Sequence, residues 1–297
     1  MMRSHSYPSP QAFRQALTDK LREASRDGPW TLSQLQRQIT YDRLLERLYL
    51  VDDGWVVKGA TALLARGLGV RGTIDVDIYR ERARELAEAE LREAAARDIG
   101  DWFTFELGPG RAVATDAAVR IPVTAYVGTA SWASFHVDLV GSDMRMTGQP
   151  DDVPPLARVL MPDIEQHGYR AYPLADHIAD KISAILQRYS GQDRPSTRFK
   201  DLVDLVAIVT EASVAADQQM AALTSEAQRR DMPLPATFDV PDRALWERGY
   251  AAEAGRSLLP SAHTLDEALS VVRPFVEPLL AETAAGRWDP EIGQWTG

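Results

Sequence analysis

The chain has 297 residues, 45% of them hydrophobic, which is enough for one large domain or two ordinary domains with a buried core. It contains no cysteine, so disulfides, thiolate metal sites and cysteine nucleophiles are excluded, and any metal must be bound by oxygen or by one of five histidines. A formal charge of −10 argues against binding nucleic acid by bulk attraction, so such a contact requires a local basic patch.

The predicted elements of the first half are helices and short strands. Residues 10–50 carry apolar side chains at helical spacing, interrupted by an Asp-Gly-Pro turn signal at residues 27–29. A β-branched strand at 55–59 leads through a tight turn into a helix ended by two glycines, and a long helix with one charged face follows at 80–100. Three later segments rich in aromatic and β-branched residues are predicted as strands: 102–107, 119–128 and 134–141.

The second half is predicted to be mainly helical. Proline density at residues 151–162 marks a boundary, and almost everything after residue 173 has a helical pattern. We therefore expect an α/β fold with two domains, at residues 1–160 and 161–297. The first domain would carry the strands behind a helical N-terminal segment, and the second would be helical.

Two aspartates interrupt the apolar strand segment RGTIDVDIY at residues 71–79. Asp75 and Asp77 are two positions apart, so on a strand both point to one face with their carboxylates close together. Like charges this close repel unless both face water, one is protonated or a cation is bound, and hard oxygen ligands suit Mg²⁺. Asp138, again an acid inside an apolar strand pattern, is the candidate third ligand. The alternative is that these acids lie on an exposed sheet face or cap a turn.

Two sequence blocks carry a resemblance to a known enzyme family. VVKGATALLARG followed by RGTIDVDIY resembles the opening motif of the polymerase-β-like nucleotidyltransferases, in particular the AbiEii and MenT group of bacterial toxins. Residues 174–208 are similar to later motifs of that group, a lysine-bearing D-K-x-x-A-x-x-x-R helix and an R-x-K-D-x-x-D-L helix. The resemblance implies a polymerase-β-like core with a mixed sheet, followed by a helical domain that supplies further active-site residues.

By this resemblance, catalysis uses two Mg²⁺ ions and an NTP as co-substrate. Asp75 and Asp77 would be catalytic metal ligands, and Asp138 would take the place of the third carboxylate. The family binds triphosphate at a Gly-Ser turn, and this chain departs from it with Gly-Ala-Thr at residues 59–61. The nucleotide-binding residues implied in this half of the chain are Lys58, Gly59, Thr61 and Thr73.

The second block supplies charged residues on two predicted helices. Lys181 corresponds to the lysine that the family places against the nucleotide phosphates, and Arg188, seven residues later, would project from the same helix face toward the nucleotide. Asp201 is the favoured catalytic acid and could position Lys181, with Asp204 as the alternative acid facing the nucleotide. The plain alternatives are solvated surface cations for Lys181 and Arg188, and a helix-surface ion pair for Asp201.

The resemblance further implies a toxin that transfers nucleotides, from ATP or CTP for example, to the 3′ end of tRNA and so blocks translation. Its partners would be tRNA or another RNA acceptor and a cognate antitoxin, but no DNA. The basic segment at residues 188–200 would offer a local patch for the acceptor. We see neither a secretory signal nor an apolar run that could span a bilayer, and so expect a cytoplasmic protein without a membrane partner.

Two other functions stay open. An enzyme of the same fold could modify a small molecule, as antibiotic nucleotidyltransferases do. A catalytically silent module could instead bind a partner, and its acids would then be structural. Either enzyme should bind MgNTP in a way that depends on Asp75. The silent module should bind no nucleotide or keep its affinity in Asp75→Ala.

Overall fold

The computed structural model describes residues 6–113, 118–142, 144–157, 159–162, 164–189 and 194–297. The chain forms two compact units. Unit 1 consists of Met1–Arg66, Gly72–Arg145 and Asp152–Ala171. Unit 2 consists of Gly67–Arg71, Met146–Asp151 and Tyr172–Gly297. Two short segments within residues 1–160 therefore belong with the C-terminal unit.

Helices begin unit 1, as the apolar spacing and the turn signal predict. The four helices of this unit are α1 (Pro10–Asp27), α2 (Leu32–Tyr49), α3 (Gly59–Ala65) and α4 (Arg84–Ala95), counted over the described residues. The last of them is shorter than the predicted helix at 80–100, because strand pairing holds the chain extended through Arg80.

A mixed sheet of eight strands, counted within the described ranges, accompanies these helices. Its strands are β1 (Trp55–Lys58), β2 (Asp75–Arg80), β3 (Phe103–Leu107), β4 (Arg111–Ala112), β5 (Ala118–Val127), β6 (Ala130–Val140), β7 (Asp151–Val153) and β8 (Tyr169–Ala171). Their order is β3-β5-β6-β2-β1-β8-β7, and β4 pairs with β5. The β2–β6 and β1–β8 pairs are parallel, whereas β1–β2, β3–β5 and β5–β6 are antiparallel. The predicted mixed sheet is confirmed.

Strand β2 has one buried face and one face that carries the acids. Val76 and Ile78 are fully buried, whereas Asp75 and Asp77 on the alternate face are partly exposed. Apolar residues of α2 and α4, among them Leu91, belong to the same buried cluster as Val76 and Ile78. Burial of this face therefore directs both aspartates to the other one.

A second feature of unit 1 is a buried charge cluster beside the sheet. Asp101 accepts hydrogen bonds from Arg43 Nε at 2.7 Å and from Arg47 Nη2 at 2.8 Å, and all three side chains are at most 2% exposed. Burial alone would raise the pKa of Asp101, but the two guanidiniums outweigh it and hold that pKa below its ordinary value. The carboxylate therefore stays ionised between two buried cations.

We expect Asp101→Ala to lower the free energy of unfolding by about 3–5 kcal/mol, because two buried guanidiniums would lose their carboxylate. Urea denaturation at pH 7 measures the change. The control is Glu93→Ala, which removes a 75% exposed carboxylate paired with Arg97 and should leave the free energy nearly unchanged. Equal effects of the two substitutions would contradict a stabilising role of the buried cluster.

Unit 2 is mainly helical, as predicted. Its helices are α5 (Leu174–Leu186), α6 (Phe199–Glu211), α7 (Ala216–Arg229), α8 (Arg243–Ala254) and α9 (Leu265–Leu280). Two short hairpins accompany them, β9 (Arg188–Tyr189) with β10 (Arg194–Pro195) and β11 (Arg287–Asp289) with β12 (Gln294–Thr296). None of the helices in the described part of the chain has the length and hydropathy required to traverse a bilayer.

Candidate active site

The register of the sheet brings the predicted acids of unit 1 to one place. Strands β2 and β6 are parallel, with Asp77 directly opposite Asp138 and Asp75 opposite His136. Neighbouring strands are about 4.8 Å apart, and opposite residues share a face. The Nδ1 atom of His136 lies 3.6 Å from Oδ1 of Asp75. Asp75, Asp77 and Asp138 therefore lie together on the face of the sheet opposite the buried cluster.

Gly59, the first residue of α3, lies against the carboxylate of Asp77. Its φ is +55°, a conformation that favours glycine, and a Cβ atom at this position would overlap Oδ2 of Asp77. Lys58, the residue before it and the last of β1, lies opposite Asp77 of β2. A glycine is therefore required at position 59 both by the backbone conformation and by the place of the carboxylate.

Two threonines hold the backbone of Asp75. Thr61 Oγ1 and Thr73 Oγ1 donate to its carbonyl oxygen at 3.2 Å and 3.0 Å, and the amide of Asp75 donates to Thr73 Oγ1 at 3.2 Å. Thr61 is fully buried. These hydroxyls stabilise the start of β2, and their contact with a phosphate stays a prediction.

Asp138 is bound by an arginine that the sequence did not single out. Arg120 lies opposite it on β5 and donates from Nε to Oδ1 at 2.8 Å and from Nη2 to Oδ2 at 2.6 Å. This hydrogen bonding to Asp138 raises the pKa of the Arg120 guanidinium. The alternation of β5 indicates that Arg120 is on the polar face, but nothing in that pattern shows that it meets Asp138.

The oxygen donors of Asp75 and Asp77 suit a divalent cation, and Gly59 leaves room for the carboxylate of Asp77. In the described part of the chain, no three His, Cys, Asp or Glu side chains form a ready metal-binding group. Both oxygens of Asp138 are engaged by Arg120 instead. The donor set fits a metal through Asp75 and Asp77, while the third predicted ligand is occupied by a cation of the protein itself.

In unit 2, Lys181 on α5 contacts both predicted acids of α6. Its Nζ lies 3.0 Å from Oδ1 of Asp201 and 2.7 Å from Oδ2 of Asp204. Arg71 donates from Nε and Nη2 to the two oxygens of Asp204 at 2.9 Å and 2.8 Å. Lys181 is only 4% exposed and Asp204 only 2%, so the alternative of a solvated surface cation is wrong for Lys181.

The charges of this cluster stabilise one another despite their burial. Burial opposes the charged form of Lys181, but Asp201 and Asp204 outweigh it and raise the pKa of the lysine. Burial likewise opposes the charged form of Asp204, but Lys181 and Arg71 outweigh it and lower the pKa of that carboxyl. Asp201 also pairs with Arg198 at 3.0 Å, which is the helix-surface ion pair that the sequence left as its alternative. Lys181 is thus held as an ammonium ion.

Arg188 does not share a helix face with Lys181, and that prediction was wrong. Helix α5 ends at Leu186, Gln187 is extended, and Arg188 lies in β9, where its Nη2 donates to the carbonyl oxygen of Pro241 at 2.7 Å. The seven-residue spacing of Lys181 and Arg188 matches a helix, but the helix ends before Arg188. Within the basic segment, Arg194, Arg198 and Lys200 are exposed, and residues 190–193, including Asp193, lie outside the described residues.

Unit 2 also contains a cavity of about 490 Å³ between residues 146–151, the start of α5 and α7. Asp176 in its lining accepts hydrogen bonds from the amide of Thr147 at 3.0 Å and from its hydroxyl at 2.8 Å. None of the predicted site residues lines this cavity. Asp176 therefore fastens the segment 146–151 to α5.

Comparison with models of known protein families identifies the family of this chain. The model of the family described as "Nucleotidyl transferase AbiEii toxin, Type IV TA system" matches residues 43–271, a range that contains every predicted site residue. The chain belongs to the AbiEii nucleotidyltransferase toxin family. It is therefore a nucleotidyltransferase and the toxin of a type IV toxin-antitoxin system, a class that implies an antitoxin partner. No match is found among curated proteins.

Two solved structures are similar to this AbiEii-family chain. MenT4, a nucleotidyltransferase toxin from Mycobacterium tuberculosis, is 14% identical, with a TM-score of 0.51 over 90% of this chain and 98% of that chain. JHP933 from Helicobacter pylori is 17% identical, with a TM-score of 0.49 over 83% of this chain and 94% of that chain. The match to MenT4 confirms the predicted fold class.

We expect Gly59→Ala to lower the free energy of unfolding by about 1–3 kcal/mol more than Gly67→Ala, because only the former displaces a carboxylate. Gly67 is a matched control, since its φ is +77° and an added Cβ would meet no atom within 4 Å. Urea denaturation of both variants measures the difference. Equal losses would mean that backbone strain alone requires Gly59.

We expect Asp204→Asn to lower the free energy of unfolding at pH 7 by about 3–5 kcal/mol, because buried Lys181 and partly buried Arg71 lose the carboxylate that they share. Asp201→Asn should have a smaller effect, since Asp201 is more exposed and Lys181 keeps Asp204.

The effect of Asp204→Asn should also depend on pH. Because folding lowers the pKa of Asp204, its contribution is complete above the unfolded value of about 3.9 and is lost as pH falls through the folded value. Urea denaturation at pH 7, 5 and 3 should therefore show the gap from wild type narrowing only below about pH 4. A gap that stays constant over this range would contradict an ionised Asp204 in the folded chain.

Proposed function

We propose that this AbiEii-family enzyme transfers a nucleotide from an NTP, such as ATP or CTP, to the 3′ end of tRNA in the cytoplasm and so blocks translation. The observation that carries the proposal is the register of β2 and β6, which gathers Asp75, Asp77 and Asp138 on one sheet face. Three carboxylates that share the polar face of a core sheet on two neighbouring strands are chemically suited to an Mg²⁺-dependent phosphoryl site.

In this proposal, Asp75 and Asp77 would hold Mg²⁺ through their carboxylate oxygens, and Asp138 would be the third ligand. When bound, two Mg²⁺ ions would stabilise the negative charge on the attacking and leaving oxygens. The chain's part is to hold the ligands in place. The hydroxyls of Thr61 and Thr73 fasten the backbone of Asp75, and the missing side chain at Gly59 makes room for Asp77.

In this reaction, Lys181 is a buried cation whose positive charge is stabilised by neighbouring carboxylates. A compact ammonium can neutralise the charge that develops on pyrophosphate. Asp201 and Asp204 keep Lys181 protonated and fix the direction of its side chain, and Arg71 in turn fixes Asp204. Lys58, opposite Asp77 in the sheet, completes the proposed nucleotide-binding set.

Exposed cations of unit 2 support an RNA acceptor. Arg194, Arg198 and Lys200 form a local basic group in a chain whose overall charge is −10. A phosphate backbone is attracted by such a patch even when the remaining surface is anionic. We propose that this group contacts the tRNA, and that a cognate antitoxin opposes the activity.

The test is incubation of the full chain with Mg²⁺, each of the four α-³²P-labelled NTPs in turn, and total tRNA. We expect label on tRNA with at least one NTP, none on tRNA whose 3′ end has been oxidised with periodate, and loss of aminoacylation of the labelled tRNA. Asp75→Ala and Lys181→Met should reduce labelling by at least about a hundredfold, because each removes a group that stabilises the transition state.

Glu81→Ala is the matched control, since it removes an exposed carboxylate just after β2 and should leave labelling unchanged. Labelling that persists in Asp75→Ala would refute the proposed metal ligand. Label transferred to an aminoglycoside panel but not to tRNA would identify the small-molecule enzyme instead. An absence of MgNTP binding by calorimetry would identify a silent module.

A further inference from the structure

Four charged residues form a row over the neighbouring strands β1, β2, β6 and β5. Lys58 on β1 lies opposite Asp77 on β2. Asp77 lies opposite Asp138 on β6, and Asp138 lies opposite Arg120 on β5. Because opposite residues on neighbouring strands share a face, the row runs cation, acid, acid, cation. Protein charges at both ends therefore offset the repulsion between the two central acids.

Arg120 holds Asp138 by both carboxylate oxygens, at 2.8 Å and 2.6 Å. The arginine side chain is 45% exposed and that of Asp138 is 15% exposed. Solvent weakens an ion pair with this exposure, so a stronger partner can separate it. A guanidinium also binds phosphate oxygens with the same two-point geometry. The pair is thus strong enough to occupy Asp138 and weak enough to be exchanged.

Arg120 and a divalent cation require the same oxygens of Asp138. The guanidinium blocks both oxygens, and its positive charge repels a cation that approaches them. A triphosphate competes for the other partner of the pair, since its oxygens offer Arg120 another anionic ligand. Metal and triphosphate therefore both break this ion pair, the metal by binding Asp138 and the triphosphate by binding Arg120.

We propose that Arg120 is a positioning residue that withholds Asp138 from the metal until a nucleoside triphosphate engages the guanidinium. The inference rests on the proposed function. Without nucleotide, Arg120 competes with the cation for Asp138. With nucleotide, Arg120 exchanges the carboxylate for phosphate oxygens, and Asp138 becomes available beside Asp77. Binding of metal and binding of nucleotide are thereby coupled.

The test is calorimetric titration of the full chain with Mn²⁺, with and without α,β-imido analogues of the four NTPs. In Arg120→Ala we expect Mn²⁺ affinity without nucleotide to rise about two- to fivefold, the range that one exposed ion pair allows. In wild type, the analogue should increase Mn²⁺ affinity. In Arg120→Ala, this increase should be smaller by the same two- to fivefold factor. Circular dichroism checks that the variant is folded.

Three variants isolate the ion pair from general charge. Arg111→Ala removes an exposed cation that lies opposite Arg120 on β4, and it should leave Mn²⁺ affinity unchanged. Arg120→Lys keeps the positive charge but cannot hold two oxygens in a fork, so its Mn²⁺ affinity should lie between those of wild type and Arg120→Ala. In Asp138→Asn, the further change Arg120→Ala should have no effect on Mn²⁺ affinity.

The inference is overturned if Arg120→Ala binds Mn²⁺ no more tightly than wild type, if Arg111→Ala has the same effect, or if Arg120→Lys behaves like wild type. Failure of the proposed function looks different. Wild type and Asp75→Ala would then bind Mn²⁺ and the analogues equally. Binding that depends on Asp75 but not on Arg120 rejects the inference alone.

Discussion

The parallel pairing of β2 with β6 is the constraint on which the acidic site depends. Side chains alternate along a strand, so a slip of one residue would turn Val76 and Ile78 to the polar face and bury the aspartates. Val137, buried on β6, lies opposite Val76 and locks the same register. The hydrophobic effect on one side of the sheet thus positions the carboxylates on the other side, without any attraction between them.

Charge compensation within the protein is the second principle of the structure. Asp101 lies between two buried arginines in unit 1, and Asp204 lies between Lys181 and Arg71 in unit 2. A buried charge without a partner is far more destabilising than a buried pair, so each set behaves as a structural whole. In unit 2 this means that the lysine expected to act on phosphate is held by contacts that also stabilise the fold.

Several elements and part of the site could be predicted from residue patterns alone. The period of two in β2 indicates that Asp75 and Asp77 share a face, and the spacing on α6 indicates that Asp201 and Asp204 are neighbours, because both depend only on local backbone geometry. The end of α5 before Arg188 was missed, since a favourable spacing of side chains does not show where the backbone leaves the helix. Asp201 and Asp204 both contact Lys181, so the structure does not support the sequence-based preference for Asp201 as the acid that positions this lysine.

The sequence by itself determined the kinds of charged groups that this protein carries and the faces of the strands and helices on which they lie. Tertiary structure decided which of them meet. A β-bulge in the β5–β6 hairpin, where the pairing shifts between Ala125 and Tyr126, sets Arg120 opposite Asp138, whereas the regular hairpin register would place Val119 there. Arg71 and Asp204 are 133 residues apart and form a two-point ion pair. Such contacts arise from register and packing over long separations in the chain, which local residue patterns do not encode.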